Sequence, residues 1–221
     1  MAGDRGKVLS ITKMADAPKR IVKDPEVRKA EIIEAAAGLF RIKGFLATSI
    51  QEIVKSAGIS HGAFFYYFPT KQDVLIALGK TRLTAFQKTL REWIADESMS
   101  PKEKILKVLQ QVDSLRNMRV AVDFVGFGFI RQDPEVHNTL VNLAVPMLME
   151  DVEALLQQGI DCGDFRIPNK RGIGLCLILL SADLIHRADV TEQVVKWPDL
   201  YGAYVHSVAA MLGFQNDPVI P

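Results

Sequence analysis

Apolar residues recur at helical spacing along most of the chain. Residues 1–25 show no such period and contain two prolines, but Ile33, Ala37 and Phe40 then follow at intervals of three and four residues. This spacing places apolar side chains on one face of a helix, and Gly44 provides a stop signal for it. The pattern predicts a flexible, basic arm followed by a first helix.

Two shorter helices with clear start signals come next. Ser49 and Glu52 have the spacing of a capping box, in which each residue satisfies a free backbone N–H of the other. Gly58 ends this second helix. Ser60 can cap a third helix, which Pro69 stops because proline cannot continue a helical hydrogen-bond ladder.

The rest of the chain has the same helical period. Thr70 and Asp73 form another capping pair, and they start a long helix that reaches about residue 97. Pro146 is expected to kink or divide one of the later helices. Alternating period-two stretches are absent from the sequence, so it predicts an all-α fold. The later helices are predicted at 101–116, 118–131, 134–160, 170–188 and 199–213.

Composition narrows the class of protein. Hydrophobic residues make up 48% and charged residues 24% of the 221 residues, which is ordinary for a globular protein. Two cysteines cannot build a disulfide framework, and a cytoplasmic location is the default expectation. The most apolar run, at 172–185, is too short to cross a bilayer comfortably and contains Asp183, so no membrane partner is expected.

Charge is distributed unevenly along the chain. Residues 1–82 hold 14 basic and 8 acidic residues, whereas residues 83–221 hold 13 basic and 18 acidic residues, although the net charge is only +1. A basic N-terminal part and an acidic C-terminal part suit a protein that contacts phosphates with one end only. Chance scatter of surface charge explains the same numbers equally well.

The two short helices joined by "AGIS" have the spacing of a helix-turn-helix, a motif that places its second helix in the major groove of DNA. On a helical wheel, one set of third-helix residues should pack on the core and the other set is free for a DNA groove. The core set is Phe64, Tyr67 and Phe68; the free set is Gly62, Phe65 and Tyr66, with His61 at the rim.

The stretch "GFLATSIQEIVKSAGISHGAFFYYFPTKQDVL", residues 44–75, resembles the DNA-binding segment of the TetR family of transcriptional regulators. The matching features are Gly44, the Thr48-Ser49 pair, the "AGIS" turn, Gly62, the aromatic cluster ending in Phe68, and Lys71. The resemblance implies an arm at 1–25, a helix-turn-helix DNA-binding domain at 26–72, and a helical ligand-binding and dimerisation domain at 73–221. The implied function is that of a repressor released from a palindromic operator by a small-molecule effector, with double-stranded DNA and a second copy of the chain as partners.

The resemblance also assigns roles to individual residues. Thr48, Ser49 and Lys71 match positions that contact DNA phosphates, and Gln51 and His61 match positions from which relatives reach base edges. Ser49 can equally be only a cap, Lys71 a solvated charge, and His61 an exposed residue at a helix start. The candidate DNA-binding residues are Thr48, Ser49, Gln51, Ser60, His61, Gly62, Ala63, Phe65, Tyr66 and Lys71.

One position departs from the family pattern. Phe65 stands where the family usually has a tyrosine whose hydroxyl meets a phosphate, and the third helix contains no Arg or Lys. These two facts motivate an alternative function, a helical small-molecule-binding or protein-interaction protein with a weak or non-functional DNA head. An enzyme is not expected, because the sequence has no nucleophile–base pair and no phosphate-cradling glycine loop. No cofactor is expected either.

A ligand cavity is predicted in the C-terminal part of the chain. In "RVAVDFVGFGFIRQ" phenylalanines alternate with glycines, which leave space beside the rings. The ligand should be mostly apolar with one or two polar handles, whereas the four histidines show no metal-ligand spacing. Helices 134–160 and 170–188 are the expected dimer interface, or else only monomer core. The candidate ligand-binding residues, each of which can instead serve packing, are Trp93, Asp123, Phe124, Phe127, His137, Asn138, Asp183 and His186.

Overall fold

The computed structural model describes residues 24–117, 134–191 and 193–213. Within these ranges the secondary structure is entirely helical, as the sequence predicts; the helix expected at 118–131 lies outside them. The described helices are α1 (Pro25–Lys43), α2 (Ile50–Ala57), α3 (His61–Tyr67), α4 (Lys71–Ala95), α5 (Pro101–Asn117), α6 (Pro134–Asp161), α7 (Lys170–Thr191) and α8 (Trp197–Leu212).

Local chemistry determines where the first helices begin and end. Ser49 and Glu52 form the predicted capping box at the start of α2, and Thr70 and Asp73 form a second one at the start of α4. Gly58 ends α2 in the left-handed conformation at φ 63°, which a residue with a Cβ adopts only under strain. These signals keep α2 and α3 short and fix the angle between them.

The described residues contain two hydrophobic cores. The first belongs to the N-terminal bundle, which we define as α1 to α3 together with residues 71–78 of α4. Two residues of α6, Val136 and Leu140, are also part of this core. Its buried residues are Ile32, Ile33, Ala36, Ala37, Phe40, Phe45, Ile53, Val54, Phe64, Phe68, Val74, Leu75, Leu78, Val136 and Leu140.

The second core belongs to the C-terminal bundle, formed by the rest of α4 with α5 to α8. It is built from buried leucines, valines and isoleucines of all five helices, together with Phe165 from the connection between α6 and α7. Gly159 makes that connection possible, because a Cβ at this position would lie only 2.1 Å from the Phe165 ring. No helix of the described residues is long and apolar enough to cross a membrane.

Helices α4 and α6 both run from one core to the other. α4 crosses α6 closely at Gly79, where a Cβ would lie 2.5 Å from a methyl group of Leu140. α6 continues through Pro146 over 28 residues, so the proline does not divide it. Two helices, rather than the long α4 alone, therefore connect the N-terminal bundle to the C-terminal bundle.

Candidate DNA interface and ligand cavity

Helix α3 is anchored to the N-terminal bundle by one aromatic face. Phe64 and Phe68 are buried, with their ring centroids 6.2 Å apart, and Tyr67 packs partly buried beside them. They share the first core with Phe40 and Ile53. The packing predicted for these three aromatics is confirmed, and it fixes which way the opposite face of α3 points.

The opposite face of α3 is exposed. Phe65 and Tyr66 are 50% and 78% exposed, and His61 and Gly62 also lie at the surface. Ser60 caps the helix by accepting a hydrogen bond from the Ala63 N–H at 3.2 Å. An anchored, short helix with an exposed outer face has the geometry that a recognition helix needs to enter the major groove.

Thr48 and Lys71 are turned toward the protein. Thr48 is 1% exposed, and its hydroxyl donates to the Gly44 carbonyl at 2.7 Å. The Lys71 ammonium donates to the carbonyl oxygens of Phe45 and Thr48, both at 2.7 Å, and lies 4.3 Å from the centre of the Phe45 ring. Both side chains thus hold the connection between α1 and α2 in this conformation. The phosphate contacts predicted for them stay predictions.

The environment of Lys71 changes its titration. Partial burial, with the positive charge of Lys43 nearby, lowers the pKa of Lys71. The three carbonyl oxygens near this ammonium, those of Phe45, Leu46 and Thr48, replace the water that burial removes. Sequence spacing gave no sign of this contact, because it joins residues more than 20 positions apart.

Ser49 and Gln51 remain exposed at the start of α2. The Ser49 hydroxyl donates to the Glu52 carboxylate at 2.8 Å, and Lys43 binds the other oxygen of that carboxylate. The hydrogen bond from Lys43, followed by the bonds from Ser49, lowers the pKa of Glu52 to about 2. Ser49 is therefore a helix cap, as one of its two interpretations predicts. It is also exposed, so it is accessible to DNA as well.

An apolar cavity of about 130 Å³ lies inside the C-terminal bundle. Leu83, Phe86 and Leu90 of α4 form one wall at spacings of three and four residues. Gln111 and Ser181 are the polar side chains among the described lining residues. The remaining lining residues are Ile105, Val108, Val112, Ala144, Leu148, Val152, Leu155, Leu177, Ile178 and Ala182.

Ser181 is held in place by two neighbours. Its hydroxyl donates to the Leu177 carbonyl at 2.6 Å, and the Tyr204 hydroxyl lies 2.6 Å away, so that Tyr204 donates to Ser181. Burial raises the pKa of Tyr204 to about 12, so this phenol stays a neutral donor at physiological pH. A bound molecule would meet a fixed hydroxyl at this point of an otherwise apolar wall.

The predicted ligand-binding residues that the structure describes do not line this cavity. Trp93 packs on the second core, with the Lys107 ammonium 5.6 Å from its ring. His137, Asn138 and Asp183 line a surface groove between α6 and α7, in which His137 Nε2 lies 4.0 Å from an Asp183 carboxylate oxygen. Asp123, Phe124 and Phe127 lie outside the described residues, as does the side chain of His186.

A polar contact joins α4 to α6 beside the cavity. The Gln87 amide donates to the carbonyl of Met147 and to the Asp151 carboxylate, and the Arg91 guanidinium donates to the same carboxylate at 2.8 Å. The hydrogen bond that Arg91 donates to Asp151 raises the pKa of Arg91. This contact ties the wall formed by α4 to the wall formed by α6, so the two helices that reach the N-terminal bundle are joined at the cavity.

Comparison with known proteins agrees with the geometry of the N-terminal bundle. Residues 32–78, which contain the helix-turn-helix, match the family model described as "Bacterial regulatory proteins, tetR family". The N-terminal bundle is a helix-turn-helix DNA-binding domain of the TetR family. The relatives that this chain matches are transcriptional regulators rather than enzymes.

Similarity to individual TetR-family proteins extends beyond the family model. The chain is 27% identical over 153 residues to the uncharacterized HTH-type transcriptional regulator YfiR of Bacillus subtilis (strain 168), which covers 68% of this chain and 74% of YfiR. Its fold is similar to that of RolR in complex with resorcinol, with a TM-score of 0.64 at 22% identity, covering 86% of this chain and 89% of RolR. It is also similar to that of FadR from Bacillus subtilis in complex with stearoyl-CoA, with a TM-score of 0.59 at 19% identity. This similarity covers 82% of this chain and 98% of FadR.

Proposed function

We propose that this protein is a dimeric repressor that leaves a palindromic operator when a small, mostly apolar molecule binds in the C-terminal bundle. The observation that carries the proposal is the position of α4. Its first turns complete the core under the recognition helix, through Val74 and Leu75, and its later turns form a wall of the cavity, through Leu83 and Phe86. A change in cavity shape thus acts directly on the helix that supports α3.

The size of the cavity supports a small effector. A volume of about 130 Å³ is close to that of a ~150 Å³ apolar cavity that accepts benzene. RolR was solved with resorcinol and FadR with stearoyl-CoA. A cavity of this size favours a single-ring molecule over an acyl-CoA, and Ser181 offers the polar handle.

The outer face of α7 supports dimerisation. Leu175, Leu179 and Leu180 are 38%, 41% and 44% exposed, and they follow one another at spacings of four and one residues along this face. A single recognition helix reads few base pairs, and a two-fold dimer doubles the number read. We expect Leu179→Glu to give a monomer in sedimentation analysis and to lose binding to a palindromic site.

Coupling needs only a modest preference of the effector for one conformation. α4 has 25 residues, so it is roughly 37 Å long at ~1.5 Å per residue. A tilt of a few degrees moves α3 by a few ångströms, which spoils its fit to half-sites about 34 Å apart. An effector that binds the tilted form about a hundredfold better supplies about 2.7 kcal/mol, enough to reduce operator affinity substantially.

The test is an operator-binding assay with the full-length protein. We expect fluorescence anisotropy to show specific binding to DNA upstream of its own gene, and we expect single-ring apolar compounds that raise the thermal midpoint to weaken that binding. Leu148→Phe, which fills the cavity, should abolish the response to the compounds while DNA binding remains. Operator affinity that stays constant under every compound shown to bind would contradict release by a ligand.

A second function is favoured by one specific observation. The side chains of Thr48 and Lys71, for which the family resemblance implies phosphate contacts, donate to backbone carbonyl groups of the protein here. In addition, α3 has no Arg or Lys. A protein with these features could use its C-terminal bundle to bind small molecules or proteins without a functional DNA head. Absence of specific DNA binding in the same assay, together with intact compound binding, would select this second function.

A further inference from the structure

The exposed face of α3 offers aromatic rings where a recognition helix commonly offers cations. The sequence of this helix, HGAFFYY, contains no Arg or Lys, and Tyr66 is more exposed than Phe65. Guanine is most often read by Arg or Lys, which donate to its O6 and N7 atoms. The apolar group on the major-groove edges of unmodified bases is the 5-methyl group of thymine, and apolar side chains contact it. The rings of α3 therefore match thymine chemically.

Gly62 determines which ring lies nearest the base edges. It is exposed on α3, and a Cβ there would meet nothing within 4 Å, so the backbone at this point is open to the groove. Tyr66 follows Gly62 by four residues and shares its face of the helix. Where no side chain separates the backbone from DNA, the helix can approach closely, and the next side chain on that face reaches the bases.

The ring of Tyr66 is restrained before it meets DNA. It packs edge-on against the ring of Tyr67, with 5.0 Å between the ring centroids, and Tyr67 is partly buried in the first core. Phe65 is placed differently: its ring packs edge-on against the buried Phe64 at 5.4 Å and lies 6.4 Å from the His61 ring, so more of it is covered. Tyr66 is accordingly the better placed of the two rings to contact a base.

We propose that Tyr66 reads a thymine through its 5-methyl group in each operator half-site. The contact is made by the carbon atoms of the ring, so it does not depend on the Tyr66 hydroxyl. This inference rests on the proposed DNA-binding function and adds to it the chemical group that the recognition helix selects.

The test begins with operators selected from random DNA by the full-length protein. Each thymine of the selected half-site is then replaced in turn by deoxyuridine, which removes the methyl group and leaves the base-pairing edge unchanged. Burial of one methyl group corresponds to about fourfold in affinity, so we expect one position to weaken binding about fourfold per half-site and about fifteenfold when both half-sites are changed. If no uracil substitution weakens binding by twofold or more, the inference is wrong.

Three variants assign the contact to one ring. Tyr66→Phe keeps the ring and should keep the preference for thymine over uracil, whereas Tyr66→Ala should bind both operators equally. Phe65→Ala is the matched control: it should retain the preference at that thymine even if its overall affinity falls. Circular dichroism checks that each variant is folded, which the exposure of both rings favours.

The outcomes separate this inference from the function on which it rests. Failure of the full-length protein to select any sequence from the random pool would overturn both. Selection of an operator whose thymine methyl groups make no difference would overturn only the inference, and so would a thymine preference that Tyr66→Ala leaves intact. A preference lost in Tyr66→Ala and kept in Tyr66→Phe and Phe65→Ala would establish it.

Discussion

The N-terminal bundle and the C-terminal bundle assemble their functional surfaces over very different distances along the chain. The exposed face of α3 depends on residues within one heptad, with Phe64 and Phe68 turned inward and Phe65 and Tyr66 turned outward. The cavity takes its walls from α4, α5, α6 and α7, with lining residues that run from Leu83 to Ala182. Short-range chemistry can be read from sequence, but a cavity depends on how distant helices pack.

A residue of a later helix belongs to the core of the N-terminal bundle, and its substitution has the largest expected effect on stability and DNA binding. Leu140 belongs to α6, but it is buried in the first core against α4. We expect Leu140→Ala to cost about 2–5 kcal/mol of unfolding free energy and also to weaken operator binding, because it leaves a cavity in the core that anchors the recognition helix. Urea unfolding and operator titration measure the two effects.

Leu156→Ala is the matched control for that experiment. Leu156 lies on the same helix and is similarly buried, but it belongs to the second core and is not among the residues that line the cavity. It should lose a similar amount of stability while the folded protein keeps its operator affinity. Equal operator affinities for the two variants, measured where both are folded, would show that α6 does not support the N-terminal bundle.

Two glycines sharpen the contrast between the bundles. A Cβ at Gly159 would lie 2.1 Å from the Phe165 ring, so we expect Gly159→Ala to destabilise the protein by about 1–3 kcal/mol through overpacking. A Cβ at Gly38, within α1, would meet nothing within 4 Å, so Gly38→Ala should raise stability by up to about 1 kcal/mol. Thermal unfolding measures both changes. A higher midpoint for Gly159→Ala would contradict the packing at Gly159, and a lower midpoint for Gly38→Ala would contradict the open space at Gly38.

Phe65 gives a smaller effect that concerns DNA alone. The family resemblance implies a phosphate near position 65, and a phenol hydroxyl there would add one hydrogen bond. We expect Phe65→Tyr to tighten operator binding about fivefold at fixed salt, corresponding to about 1 kcal/mol. An unchanged or larger dissociation constant would show that position 65 does not face a phosphate.

The smallest expected effect is on the pH dependence of stability. The pKa of Glu52 in the folded protein is about 2, below its ordinary value of 4.5. Its contribution is therefore fully present above pH 4.5 and is lost as the pH falls toward 2. Glu52→Gln should lower the urea midpoint at pH 7 but not at pH 2. Glu97→Gln, which changes an exposed carboxylate outside the N-terminal bundle, is the control and should change neither midpoint.

The features that the sequence predicted correctly share a local origin. The capping pairs Ser49–Glu52 and Thr70–Asp73 lie three residues apart, and the two faces of α3 follow from helical geometry alone. Lys71 is the instructive contrast, because its start-of-helix position was clear but its three carbonyl partners lie more than 20 residues away. Local periodicity carries no information about such a partner.

The ligand-binding residues show the same limit. His137, Asn138 and Asp183 attracted attention as polar groups on apolar helices, but the structure places them in a surface groove. The cavity wall of α4, by contrast, uses Leu83, Phe86 and Leu90, whose helical spacing is visible in the sequence yet identical to that of ordinary core residues. Sequence periodicity can tell that a residue is buried, but not whether it faces a neighbour or an empty space.

Val136 and Leu140 bear on how this regulator could be re-engineered. A chimera that transplanted residues 24–78 onto another regulator would leave behind two of the side chains that complete the first core. The acceptor protein would have to supply equivalent apolar side chains at the same place. Otherwise the transplanted DNA-binding domain would have an incomplete hydrophobic core. The DNA-binding domain of this protein therefore cannot be exchanged on its own, and a functional chimera must include the beginning of α6.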